Sequence, residues 1–193
     1  LLTNDGTLPL APTGRIALIG AFAESPRHQG GGSSLVQSTR MDTALAAMRE
    51  RVGDAAEVVY APGYDAATGA ATDAQIREAL EAADGADAVV LMVGLPTSFE
   101  SEGYDRDHLD IPASHTRLIQ ALTARHDKVV VTLSNGAPIE MPWADAPNAI
   151  VESYLGGQAA GGAVVDVLFG DAEPGGRLAE SFPVSVGDLP SSH

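Results

Sequence analysis

Arg15-Ile16-Ala17-Leu18-Ile19-Gly20 is a short apolar run ended by glycine. With almost no polar side chain to set toward water, a strand formed here is buried on both faces. Similar runs follow at intervals: Glu57 to Tyr60 leading into Pro62-Gly63, Ala88 to Val93 ending at Gly94, Val129 to Leu133 ending at Asn135-Gly136, and Ala149 to Val151 running toward Gly156-Gly157. Each is rich in β-branched residues and bounded by turn formers, as strands are. Between them lie stretches with helical spacing, Met41 to Val52, Asp73 to Ala83, Ala113 to Arg125 and Gln158 to Phe169. Thr72 or Asp73 can cap the second, Pro112 stands near the start of the third, and Ser114 offers it a side-chain cap. Strands alternating with helices predict an α/β fold: a doubly wound, mostly parallel sheet of about six strands with helices on both faces.

Composition agrees with one such domain spanning residues 1–193: 45% of residues are hydrophobic and 19% charged. There is no cysteine, which removes thiol catalysis, Cys-ligated zinc and iron–sulfur clusters. The formal charge is −15, and Lys128 is the sole lysine. An acidic surface repels phosphate backbones, so no nucleic-acid partner is expected. No apolar run approaches the ~20 residues of a membrane span, so none is predicted. Leu1-Leu2-Thr3-Asn4-Asp5-Gly6 has neither the charged nor the apolar region of a signal peptide, and the compartment stays open. The leading Leu suggests a piece of a longer chain.

Doubly wound sheets gather ligands at the carboxyl ends of their strands. Three loops lie there: Ala21 to Gln37, Leu95 to Ile111, and Ser134 to Trp143. The first contains Gly30-Gly31-Gly32-Ser33-Ser34, but neither a dinucleotide fingerprint nor a Gly-Lys-Ser/Thr ending, so no nucleotide cofactor is expected. A turn that Cβ would block, or a close backbone contact with a neighbouring domain, accounts better for the glycines.

The second loop crowds Glu100, Glu102, Asp105, Asp107 and Asp110 together with Arg106, His108, Phe99 and Tyr104. A solvated acidic loop is one reading. The other makes one carboxyl a general acid/base, with Phe99 or Tyr104 supplying a stacking surface. Glu100 and Glu102 share a face only if the loop is extended. Asp105 and Arg106 are a candidate ion pair. No metal is expected, because EF-hand spacing is lacking and His108 has no second histidine at ligand spacing. His28, His115, His126 and His193 are isolated in sequence and read as surface or core residues. Trp143 reads as a packing anchor.

These motifs in order resemble the C-terminal α/β-sandwich domain of glycoside hydrolase family 3, of the β-glucosidase type. The resemblance is carried by Leu1 to Leu10, Ile16 to Gly20, Gly31-Gly32-Ser33, Ser101-Glu102-Gly103-Tyr104-Asp105-Arg106, Gly136-Ala137-Pro138, Met141-Pro142-Trp143, Leu168 to Asp171, and Pro174 to Leu178 with Ser181-Phe182-Pro183. It departs from the family's Asn-Pro-Ser-Gly-Arg-Leu-Pro run, here Glu173 to Ala179, and leaves no room for the extra β-domain some members insert. The resemblance implies a retaining β-glycosidase acting on a β-linked oligosaccharide or glucoside from its non-reducing end. It also implies a missing N-terminal (β/α)₈ barrel bearing the nucleophilic Asp, with residues 1–14 as the connecting segment. Glu102 then becomes the acid/base, with Glu100 as the alternative. Phe99, Tyr104, Arg27 and Gln29 become candidate substrate contacts, and the chain alone is expected to be inactive. A competing reading is a non-catalytic module that binds carbohydrate or closes a partner domain.

Overall fold

A computed structural model describes residues 1–189; His193 lies outside the described residues. The sheet contains β1 (Thr3–Asn4), β2 (Gly14–Ile19), β3 (Ala56–Ala61), β4 (Ala88–Gly94), β5 (Val129–Ser134) and β6 (Ala149–Glu152) in the spatial order β1-β6-β5-β4-β2-β3. Every pairing is parallel except that of β1 with β6. The helices are α1 (Ala44–Val52), α2 (Asp73–Ala83), α3 (Ala113–Thr123) and α4 (Ala160–Phe169). α1 packs on α4 and α2 on α3, so the two pairs cover the two faces of the sheet. The α/β architecture is the one the periodicity predicts.

Why β4 and β5 form the centre is plain from their residues: both are buried along their entire length. Burying each Val or Leu side chain contributes roughly 1.5–3 kcal/mol, far more than any strand propensity. Trp143 is a core residue, as its reading anticipates.

The ends of the elements carry the differences. α1 begins three residues later than its periodicity suggests, because Thr43 accepts the N–H of Ala46 at 3.2 Å and so sets the start. At α2, Thr72 and Gln75 form a reciprocal capping box. Ser114 does not cap α3; its hydroxyl instead donates to the carbonyl of Gly69. Gly157–Ala159 forms a 3₁₀ turn ahead of α4.

Strand β1 has no counterpart among the apolar runs, since two residues give no periodicity to read. Residues 1–14 are nevertheless stitched to the domain. Leu8 and Leu10 are buried in the core, and the Leu10 N–H donates to Leu168 at 2.8 Å. Among the described residues no helix is long and apolar enough to cross a membrane, and no three His, Asp or Glu side chains gather as a metal site.

Candidate functional site

β2 lies between β3 and β4, while β4 lies between β2 and β5. The chain leaving β2 therefore travels one way to β3, and the chain leaving β4 travels the other way to β5. Their two loops part over a crevice, the place where ligands collect in such sheets. Register sets both loops, and the one after β5, at the same edge: Ile19 pairs with Leu91, and Gly94 with Ser134.

The loops are tied to one another through Arg27, whose side chain is 7% exposed. Its Nε donates to Leu95 O at 3.0 Å, one Nη to Glu100 O at 3.0 Å, and the other to Gln29 O. Burial pulls its pKa down, and the carboxylate of Glu100, 3.6 Å away, pushes the other way. The donors of this candidate substrate contact are thus engaged with backbone carbonyls. Gln29 is similarly engaged: its amide accepts from the N–H of Val36 and donates to the same residue's carbonyl, both at 3.0 Å.

Glu100 and Glu102 have different surroundings. Glu100 accepts the N–H of Gly136, on the third loop, at 2.9 Å, and its side chain is 18% exposed. Glu102 is exposed, and its carboxylate accepts the backbone N–H of Ser33. That hydrogen bond favours the ionised form and holds Glu102 below its ordinary 4.5.

The Gly-rich stretch is explained by the same contact. A Cβ on Gly31 would strike Ser101, and one on Gly32, whose φ is +71°, would strike the Glu102 side chain. The close contact these glycines make is thus with the acidic loop of the same domain, in place of the neighbouring domain the sequence suggested. Gly136 meets a similar limit, a Cβ there falling 2.8 Å from Glu100 Oε1.

Among the aromatics, Tyr104 is 48% exposed and its hydroxyl donates to Thr97 O at 2.7 Å. Phe99 is half-buried, with its ring edge-on to His108 at 5.8 Å between centroids. The candidate Asp105–Arg106 pair does not form; Arg106 donates to Pro138 O at 2.8 Å, bringing the second loop against the third. Leu35 and Val36, on the first loop, are exposed apolar residues.

Two buried titratable groups stand out, His115, one of the histidines read as a surface or core residue, and Glu152, which the sequence reading passed over. His115 is fully buried, 4.1 Å from the Tyr64 ring, with Nδ1 3.1 Å from Gly94 O. Burial drives its pKa down to about 3. Glu152 closes β6 and lines a cleft of about 510 Å³ with Leu2, Val151, Val164 and Leu178. Burial pushes its carboxyl up to about 7, against the Tyr154 N–H at 2.7 Å and the Asn135 amide at 3.3 Å. The signal was a carboxylate directly after Ala149-Ile150-Val151 at a strand's carboxyl end.

The sequence matches the glycosyl hydrolase family 3 C-terminal domain over residues 1–193. It is 46% identical over 191 residues to thermostable beta-glucosidase B of Acetivibrio thermocellus, covering 99% of this chain and 25% of that protein. It is 45% identical over 201 residues to an exo-alpha-(1->6)-L-arabinopyranosidase of Bifidobacterium longum, with 99% and 26% covered. Among solved structures, the Bifidobacterium adolescentis GH3 beta-glucosidase superposes with a TM-score of 0.88 at 42% identity, covering 99% of this chain and 28% of that one. The chain spans about a quarter of the length of these relatives. With sequence match, fold and loop order in agreement, the chain belongs to the glycosyl hydrolase family 3 C-terminal domain family.

Proposed function

We propose that this domain supplies the acid/base carboxyl, Glu102, to a retaining β-glycosidase acting on non-reducing-end β-glucosides or related sugars, and that an N-terminal (β/α)₈ barrel supplies the nucleophilic Asp. The observation that carries the reading is the contrast between neighbours two residues apart: Glu100 is bound inward by Gly136 and lies beside Arg27, whereas Glu102 is exposed at the crevice edge. Relatives named as a beta-glucosidase and an arabinopyranosidase support the reaction class.

A retaining mechanism sets two carboxyl groups ~5–5.5 Å apart, one attacking the anomeric carbon and the other protonating the departing oxygen. The second then takes a proton from the water that releases the sugar. Glu102 as it stands is ionised at neutral pH, the wrong state for the first step. An anionic nucleophile opposite it and exclusion of water would both raise its pKa. The exposed Leu35, Val36 and Tyr104 on the same loops suit a surface that another domain covers. Residues 1–14 would connect the two domains, and this chain alone would be inactive.

The test is Glu102→Gln in the chain joined to its barrel. Activity on alkyl or oligosaccharide glucosides should fall about 10²–10⁴-fold, the usual worth of a general acid. Dinitrophenyl glucoside, which needs no protonation, should be cleaved to its glycosyl-enzyme far better, and azide should restore turnover. Equal loss on both substrates without azide rescue would remove Glu102 from the role.

A further inference from the structure

Arg27 spends its planar fork on three backbone carbonyls from two loops: Gln29 on its own, and Leu95 and Glu100 on the acidic loop. We infer that Arg27, with the carboxylate of Glu100 beside it, is a positioning residue that sets where Glu102 stands, and that Glu100 is part of this clamp and not an acid/base. The inference rests on the proposed role of Glu102.

The geometry accounts for each part. Leu95 begins the acidic loop directly after β4, and Glu100 lies two residues before Glu102. Fixing both carbonyls to one rigid guanidinium fixes the start of the loop relative to the segment that enters the site. The Gln29 carbonyl extends the same hold to the first loop, whose Ser33 N–H meets the Glu102 carboxylate. Glu100 adds the third loop, its carboxylate accepting from Gly136 N–H at 2.9 Å while lying 3.6 Å from Arg27. All three loops are thereby locked in the one arrangement that presents Glu102. Lysine, with a compact ammonium on a flexible stem, cannot reproduce a planar fork that engages three carbonyls.

Misplacing a reacting group by about 1 Å can cost about 10²-fold in rate. In the chain joined to its barrel, Arg27→Met should therefore lower kcat/KM about 10²-fold on alkyl glucosides but only several-fold on dinitrophenyl glucoside, whose first step needs no protonation. Across a series of aryl glucosides, its rate should fall more steeply with leaving-group pKa than that of the parent. Arg27→Lys, which keeps the charge and the stem should Met prevent folding, should show the same steepening. Glu100→Gln retains an acceptor for Gly136 and should keep the parent's leaving-group dependence, with no response to azide.

Two results would overturn the clamp while leaving the acid/base reading intact. One is a uniform loss across leaving groups in both Arg27 variants; the other is parent-like activity in both. Azide-rescued, leaving-group-dependent loss in Glu100→Gln would make Glu100 the acid/base. Absence of that signature in Glu102→Gln would instead overturn the proposed function itself.

Discussion

Glu152→Gln separates a buried carboxyl's proton from its packing. In the folded chain this carboxyl titrates at about 7, against an ordinary 4.5, chiefly because burial disfavours its charged form. The folded state therefore holds the proton more tightly than the unfolded state does. The sign follows: no penalty exists below 4.5, stability falls as pH rises from 4.5 to 7, and the penalty is complete above 7. At 1.36 kcal/mol per pH unit, the full penalty is on the order of 3 kcal/mol, most of which develops between pH 5 and 8. Glutamine has nearly the same shape and no charge to lose. It can still accept the Tyr154 N–H, but its own amide then faces that of Asn135, a cost of about 1 kcal/mol at every pH.

Urea unfolding of both proteins at pH 5 and pH 8 isolates the proton, because the lost hydrogen bond cancels between the two conditions. At pH 5 the variant should be slightly the weaker protein, and at pH 8 clearly the stronger. With a slope of about 1–3 kcal/mol per molar urea, the difference between the two midpoints should change by about 1–2 M across that range. Parallel pH dependence in the two proteins would mean that Glu152 is not a neutral buried group, and the reasoning from its burial would fail.

Gly32→Ala forces a left-handed backbone on an L-residue, worth about 1–2 kcal/mol, and places its methyl on the Glu102 side chain. Thermal denaturation should show a fall of about 2–8 °C. The joined enzyme should lose activity on poor leaving groups, whereas Gly175→Ala, with open space around it, should change neither. His115 has the opposite linkage to Glu152. Its folded pKa of about 3 lies below the ordinary 6.5, so the stability it contributes is present above 6.5 and lost as pH falls toward 3. His115→Phe should flatten the loss between pH 6.5 and 4 in chemical denaturation; an unchanged slope would assign that loss to other groups.

The central strands were legible because burial on both faces writes itself as an unbroken apolar run, and β4 and β5 are such runs. β1 was not, because its two residues are recruited by the exposed edge of β6 and not by their own pattern. The acidic loop could be picked out by composition, and the glycines could be read as a close contact, though with a neighbouring domain and not with this loop. Which surface they contact is set by tertiary approach, and nothing within Gly30-Gly31-Gly32 names Ser101 or Glu102. Arg27 shows the limit most clearly. An arginine beside a candidate site suggests a ligand contact, yet its three acceptors are carbonyls, which every residue possesses and no sequence pattern marks. Glu152 was overlooked for a related reason. A lone carboxylate after a strand reads as a solvated strand end until α4 and the neighbouring residues bury it.

The protonation state of Glu102 gives the isolated fold its functional direction. Its hydrogen bond from Ser33 stabilises the anion, so the loops that position this group also hold it in the form of a base. That form suits the second half of a retaining mechanism, when the group must take a proton from water. The first half requires the opposite state, and within this domain the hydrogen bonding from Ser33 outweighs the desolvation that would raise the Glu102 pKa. A nucleophile carried on another domain would be anionic before attack and neutralised once the glycosyl bond forms. Its charge would therefore raise the Glu102 pKa when a proton must be given, and cease to raise it when one must be taken. Under the proposed function, the domain's own bias toward the anion would assist the second step, and a division of the two carboxyls between two domains would let one residue serve both.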